Sequence, residues 1–394
     1  MLRSSIFRTT TSALRITCSA ATHSSARNVL ILGHRAVVVS ARHVSTTSAA
    51  NDALTAKQSH QQATTVHRQD QVKASPSPSP LTTPDAVSTI PEMVRGDWVL
   101  FHPVYSPAEI KAVEVLHREC KTVGDKMAYG LVKLSRSIFD LVSGYRHPKH
   151  PPTPGMTIEE LRKGGYILTD KQWLDRILFL ETIAGVPGMV AATLRHLTSL
   201  RLMRRDSGWI HTCLEEAENE RMHLMTFMTL RKSSLFFRLL ILGAQGVFYN
   251  LFFVSYMLSP KICHRFVGYL EEEAVRTYTK CIADLEAGKI PEWSTVPAPE
   301  ISIDYWRLPE DAKLLDVLYA VRSDETTHRF VNHSLANLNP KTDVNPFALR
   351  EPDMHVKGTK IEFDRPESED YVRQSHDLMT RQRNRIEDSQ KASS

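Results

Sequence analysis

The chain has 394 residues, 42% of them hydrophobic and 24% charged, so it can bury a sizeable core and is not disordered throughout. Six of its 49 basic residues fall in the first fifty positions, where no lysine, aspartate or glutamate occurs; the remainder is close to neutral, and nothing in the global charge points to a nucleic-acid partner. The five cysteines (Cys18, Cys120, Cys213, Cys263 and Cys281) form no C-x-x-C pair, which excludes a zinc ribbon or thioredoxin-like motif and fits a reducing compartment.

In residues 1–50, Arg3, Arg8 and Arg15 are spread among Ser, Thr and Ala, and the only apolar stretch, Val29 to Val39, is interrupted by His34 and Arg35. That composition predicts a mitochondrial transit peptide rather than a secretory signal. Residues 51–95, with SPSPSP at 75–80, read as a linker that cannot bury much surface. Residues 96–354 carry helix-period patterns and poor strand signals. Six long helices are expected over about 123–143, 169–203, 209–232, 234–258, 261–287 and 310–337, with Pro187 kinking or ending the second because it lacks a backbone donor. The polar tail, 355–394, lacks a strong apolar face and is expected to be disordered.

Two matching pairs stand out. Glu220 and His223, and Glu325 and His328, are each three apart, so a helix presents both side chains on one face. A carboxylate and an imidazole together suit iron or another borderline divalent metal. Glu181 lies beside Ala184, Gly185 and Gly188, small residues that let another helix approach. Of the three acids on the fifth helix, Glu271 shares a face with Val267, Ala274, Val275 and Tyr278, whereas Glu272 and Glu273 point toward Arg276 and Lys280. Glu271 is therefore taken as the inward acid. The order Glu, Glu-x-x-His, Glu, Glu-x-x-His on four helices is the ligand pattern of ferritin-like di-iron carboxylate proteins. Four buried carboxylates without cations would be very costly, whereas two divalent irons balance them. The predicted fold is thus all-α: a ferritin-like antiparallel four-helix bundle with two additional helices and a di-iron carboxylate site in its core.

The blocks LETIAGVPGMV, NERMHLM, LEEEAVRTY and RSDETTHRF closely resemble the four motifs of the mitochondrial alternative oxidase family, over roughly Trp98 to Met354. The resemblance implies a cyanide-insensitive ubiquinol oxidase that reduces O₂ to water without pumping protons. It implies two irons held by Glu181, Glu220, His223, Glu271, Glu325 and His328, with Tyr278 in electron transfer. It implies a quinol pocket at Arg176, Leu180, Glu273, Ala274 and Thr277, and supporting residues at Asn219, Asp324, His264 and Trp306. Without it, Arg176 reads as a solvated surface residue and Glu273 as an i,i+3 partner of Arg276. The plant pattern around an N-terminal regulatory cysteine is not matched by Cys120, in HRECKTVGD, so a non-plant type is expected. Another di-iron oxygenase, an iron-storage protein and a purely structural bundle are the competing readings; LEEEAVRTY argues against the first.

Leu235 to Leu258 is the most apolar stretch, but Arg238, Gln245, Gly243, Gly246 and Asn250 interrupt it. It reads either as a core helix or as a helix in the membrane interface. Arg201, Arg204, Arg205, Arg231 and Lys232 flank the apolar helices and suit anionic head groups. The resemblance places the protein on the matrix leaflet of the inner membrane, as a homodimer.

Overall fold

The computed structural model describes residues 104–143 and 152–393; the expected transit peptide and linker lie outside them. Among the described residues the regular structure is helical, apart from one isolated bridge between Pro297 and Lys313. The six expected long helices are present as α2 (Val123–Ser143), α4 (Asp170–Leu202), α5 (Trp209–Met228), α6 (Leu235–Leu258), α7 (Pro260–Glu286) and α9 (Leu314–Leu335). Short helices α1 (Pro107–Lys111), α3 (Ile158–Lys163), α8 (Glu300–Trp306) and α10 (Met354–Thr359) join or brace them, and α11 (Arg365–Ser393) closes the chain.

The helix starts follow from local chemistry. Thr169 caps α4, its hydroxyl accepting from the Gln172 amide while the Gln172 side chain returns to the Thr169 amide. Ser259 and Pro260 together end α6 and begin α7: the serine hydroxyl accepts from the Ile262 amide, and proline is tolerated at the first helical position. Helix α9 begins at Leu314, four residues later than the position after Pro309. The intervening segment is drawn onto 296–298 by hydrogen bonds from the Ala298 amide to the Ala312 carbonyl and from the Leu314 amide to the Val296 carbonyl.

Four helices form the bundle. Helix α4 packs mainly on α5 and α9 mainly on α7, while α2 lies on α7 and α6 on α4. Pro187 does not end the helix: α4 runs unbroken for 33 residues. Packing overrides the local preference. On one side Gly188 meets α5 so closely that a Cβ there would lie 2.6 Å from the Cys213 carbonyl oxygen. On the other, Gln245 of α6 donates to the Thr182 carbonyl at 2.6 Å, just upstream of the donor gap that proline leaves.

The core-helix reading of Leu235–Leu258 is also overturned. Only Phe252 and Tyr256 of α6 are buried, and Phe236 and Leu258 are 77% and 81% exposed. Helix α2 likewise exposes Val123, Met127, Leu131, Leu134, Ile138 and Leu141, at a spacing that puts them on one face. Contiguous apolar surface of this extent marks a binding face.

The tail is not disordered. Residues 365–393 are helical, and the start of α11 is anchored by Tyr371, whose ring lies 5.5 Å from Phe363 and 6.4 Å from Phe347. Ser368 and Ser375 are buried on the same face. The segment before it reaches into the bundle. Glu362 accepts from Arg118 Nε at 2.6 Å and Arg265 at 2.8 Å, and both arginines also pair with Asp125, at 3.1 and 3.0 Å. Two buried cations thus face two acids contributed from distant parts of the chain.

Candidate metal centre

The bundle brings all six predicted ligand side chains together. They fall into two overlapping sets: Glu181, Glu220, His223 and Glu325, and Glu220, Glu271, Glu325 and His328. Within each set one donor atom per residue lies within 4.8 Å of the others, and every residue is buried. Glu220 and Glu325 belong to both sets. Two bridging carboxylates with one further carboxylate and one imidazole at each end is a dinuclear arrangement.

The side chains fit a pair of cations better than they fit each other. Glu181 Oε2, both Glu220 oxygens, His223 Nδ1 and His328 Nδ1 are buried and make no hydrogen bond of acceptable geometry. Yet His328 Nδ1 lies 2.8 Å from Glu220 and His223 Nδ1 lies 3.3 Å from Glu181. Close approach without hydrogen-bond alignment is what lone pairs converging on a common point produce. Burial raises the Glu181 carboxyl to about 8 and pushes Glu271 well above the carboxylate range. Burial acts the same way on Glu220, but contacts with both imidazoles outweigh it and hold that carboxyl below its usual value. The two imidazoles are correspondingly raised despite burial, through their carboxylate neighbours. Without metal, then, Glu181, Glu271 and both imidazoles hold protons more tightly than usual; divalent cations would replace those protons.

Asp324 organises the next layer. Its Oδ2 accepts from His223 Nε2 at 3.0 Å, from Asn219 at 2.9 Å and from Trp306 Nε1 at 2.9 Å. Binding the far nitrogen fixes the ring so that Nδ1 faces the ligand cluster. His264 sits one layer further out. Its ring bonds Asn332 Oδ1 at 2.9 Å and the Tyr256 hydroxyl at 3.1 Å, and Asn332 in turn donates to the His328 carbonyl.

Burial, together with Arg195 and Arg265, lowers the His264 pKa to about 4, against roughly 6.5 in an unfolded chain. The unfolded chain therefore takes up this proton first as the pH falls. His264 contributes stability above about pH 6.5 that is lost toward pH 4. In thermal unfolding, the gap in midpoint between wild type and His264→Gln is expected to narrow over that window. A gap independent of pH would show that His264 is not held neutral.

Beside the ligands lies a cavity of about 1110 Å³, lined by Glu181, Glu271 and Glu325 at its inner end. All five predicted pocket residues, Arg176, Leu180, Glu273, Ala274 and Thr277, line it, as does Tyr278. The Tyr278 hydroxyl donates to Glu181 Oε1 at 2.5 Å, and burial, then the neighbouring acids, raise its pKa well above the usual value. Arg176 is not solvated: it lies 4.7 Å over the Phe139 ring and 3.6 Å from Asp140. Glu273 pairs with Arg276 at 2.6 Å, as its spacing predicts, and also with Arg136 of α2.

Glu272 departs from expectation. It is buried, accepting from the Arg118 amide at 3.0 Å and lying 2.9 Å from His333 and 2.5 Å from His117. Its partners come from α9 and from the segment before α2, so helix periodicity alone could not find them. Tyr105 was missed for the same reason; its hydroxyl donates to Asp324 Oδ1 at 2.5 Å.

The fold and this donor arrangement define a ferritin-like helical bundle whose core holds a carboxylate-rich cluster that could bind two metal ions. The sequence profile of the alternative oxidase family matches residues 105–337. The mitochondrial alternative oxidase of Cryptococcus neoformans var. grubii is 58% identical over 277 residues, 69% of this chain and 69% of that protein. That of Emericella nidulans is 54% identical over 267 residues, 68% and 72% of the two chains. The chain belongs to the alternative oxidase family, whose members are ubiquinol:oxygen oxidoreductases.

Proposed function

We propose that the protein is a cyanide-insensitive ubiquinol oxidase of the mitochondrial inner membrane, seated on the matrix leaflet, that reduces O₂ to water at a di-iron centre without pumping protons. One observation carries this reading: a single cavity joins the ligand cluster to the apolar surface. It is lined by Glu181, Glu271 and Glu325 at one end and by Ile138, Phe236, Leu240, Val247 and Leu251, all exposed, at the other. A lipid-dissolved reductant can thus reach the metals without crossing water. The exposed faces of α2 and α6 support membrane docking, and the arginine- and hydroxyl-rich composition of 1–50 and the names of the fungal relatives support the compartment. Exposed Met189, Leu197 and Leu200 on α4, with Leu214 and Met228 on α5, support a homodimer formed through that side.

Two irons fit the donor set: Glu181 and His223 would hold one, Glu271 and His328 the other, with Glu220 and Glu325 shared. When bound, they supply oxygen binding and the electron transfer that side chains cannot provide. The chain's own part is positioning and proton handling. Arg176, Glu273 and Thr277 place polar groups around the quinol head, while Leu180 and Ala274 offer apolar contact. Tyr278 stands between cavity and ligands. Removing an electron from a phenol requires that its proton leave, and Glu181 Oε1, at 2.5 Å, is placed to take it and return it. Asn219 and Trp306 act through Asp324 on the His223 ring, and His264 acts through Asn332 on the His328 turn.

The test is oxygen uptake by the iron-loaded protein with a short-chain ubiquinol and excess cyanide. Uptake is expected, with quinol and oxygen consumed in the ratio that reduction to water requires. Iron-loaded protein that oxidises added ferrous ion but ignores quinol would mean an iron-storage function instead.

A further inference from the structure

We propose that Tyr105 is a positioning residue of the metal centre: its hydroxyl fixes the rotation of Asp324, and through it the ring of His223. The inference rests on reading the six-residue cluster as the di-iron site. It concerns a residue outside the four motif blocks, more than a hundred positions from the nearest ligand histidine.

Asp324 is 1% exposed, and its two oxygens are used unequally. Oδ2 takes the donors from His223, Asn219 and Trp306, while Oδ1 takes the Tyr105 hydroxyl. Rotation about the terminal bond of an aspartate is soft. Three donors on one oxygen leave that rotation to be set by whatever holds the other. The Tyr105 hydroxyl at 2.5 Å supplies that second point. With both oxygens fixed, Oδ2 stays aligned with His223 Nε2, and Nδ1 stays aimed at the ligands.

The chain invests in delivering this hydroxyl. Tyr105 lies in an arm, 104–122, with little regular structure. Two arginines of the ligand helix α9 grip the arm by its backbone: Arg322 donates to the Ile110 carbonyl at 2.8 Å and Arg329 to the Glu114 carbonyl at 2.9 Å. Seven residues apart, they project from one face of the helix that carries Glu325 and His328. Arg329 is completely buried and also donates to the Lys357 carbonyl, so α10 is clipped to the same arm. The contact is tight: a Cβ on Gly358 would lie 2.8 Å from the Ala112 carbonyl oxygen, and the Glu114 amide donates to the Gly358 carbonyl. Because these clips hold the arm independently of Tyr105, the phenol is not needed merely to anchor it. Its ring packs against the core, and its hydroxyl adds the hydrogen bond to Asp324.

The experiment is anaerobic titration of the metal-free full-length chain with Fe(II) against a competing chelator, for wild type, Tyr105→Phe, Asp324→Asn and the double variant. Cobalt(II) spectra of the same proteins report the ligand geometry. Partners of metal-bound histidines typically cost 10- to 100-fold in metal affinity when removed. Tyr105→Phe keeps the ring and is expected to weaken iron binding by about 10-fold. It should shift the cobalt bands, and it should lower the thermal midpoint of the metal-free protein only by the loss of one buried hydrogen bond. In the Asp324→Asn background it should have no further effect. Wild-type affinity and spectrum in Tyr105→Phe would overturn the proposal, as would a loss of the same size in the Asp324→Asn background. Wild-type protein that takes up no iron would instead overturn the di-iron reading itself.

Discussion

Replacing Glu220 with alanine is expected to empty both metal positions and reduce quinol-dependent oxygen uptake to background. Glu220 belongs to both donor sets, and neither of its oxygens has a hydrogen-bond partner to retain it in another role. Its removal leaves each position with one carboxylate fewer and exposes two raised imidazoles to each other, His223 and His328, whose rings lie 6.2 Å apart. Glu181→Ala should behave differently. Glu181 serves one set only, so the second position keeps its full complement. Metal analysis after loading with ferrous iron distinguishes the two: about two irons per chain in the wild type, near none in Glu220→Ala, and an intermediate content in Glu181→Ala. Equal iron in both variants would show that Glu220 does not bridge.

The second large effect is on stability. Glu362→Ala is expected to cost about 3–5 kcal/mol, because breaking a buried ion pair leaves an uncompensated charge. Arg118 and Arg265 are 6% and 4% exposed, and without Glu362 they share the single carboxylate of Asp125. For a domain of this size that corresponds to a fall of roughly 10 °C in thermal midpoint. Truncation after Thr359 should produce at least as large a fall, since it removes Glu362 together with the Phe363 and Tyr371 contacts. A drop of less than about 1 kcal/mol would place these arginines in the range of surface pairs, reached by water.

What the sequence made legible follows from the range of each signal. Helix periodicity and capping chemistry are local, and the six long helices are found close to their expected limits. The two Glu-x-x-His pairs are also local, and the inward choice of Glu271 needed only the residues on its own face. Glu272 fails the same test because its partners, His117 and His333, approach from other elements. Tyr105 sits on an arm whose path is set by backbone carbonyls, which carry no sequence signal. Pro187 does not end α4, because tertiary packing against α5 and α6 outweighs its missing donor. Helix α11 was misread because its composition is polar and its hold on the body comes from a few residues, chiefly Tyr371, with Phe363 just before it.

The clamp made by Glu362 also orders events during biosynthesis. Arg118 and Arg265 are both synthesised before the acid that completes their neutralisation, which follows Arg265 by 97 residues. The emerging chain can form the Asp125 pairs early but cannot close the cluster until residue 362 has followed them. The bundle therefore gains its last lock only when the whole ligand set has already been synthesised, and a product terminated before residue 362 carries every ligand yet lacks the charge that secures α7 against the segment leading into α2.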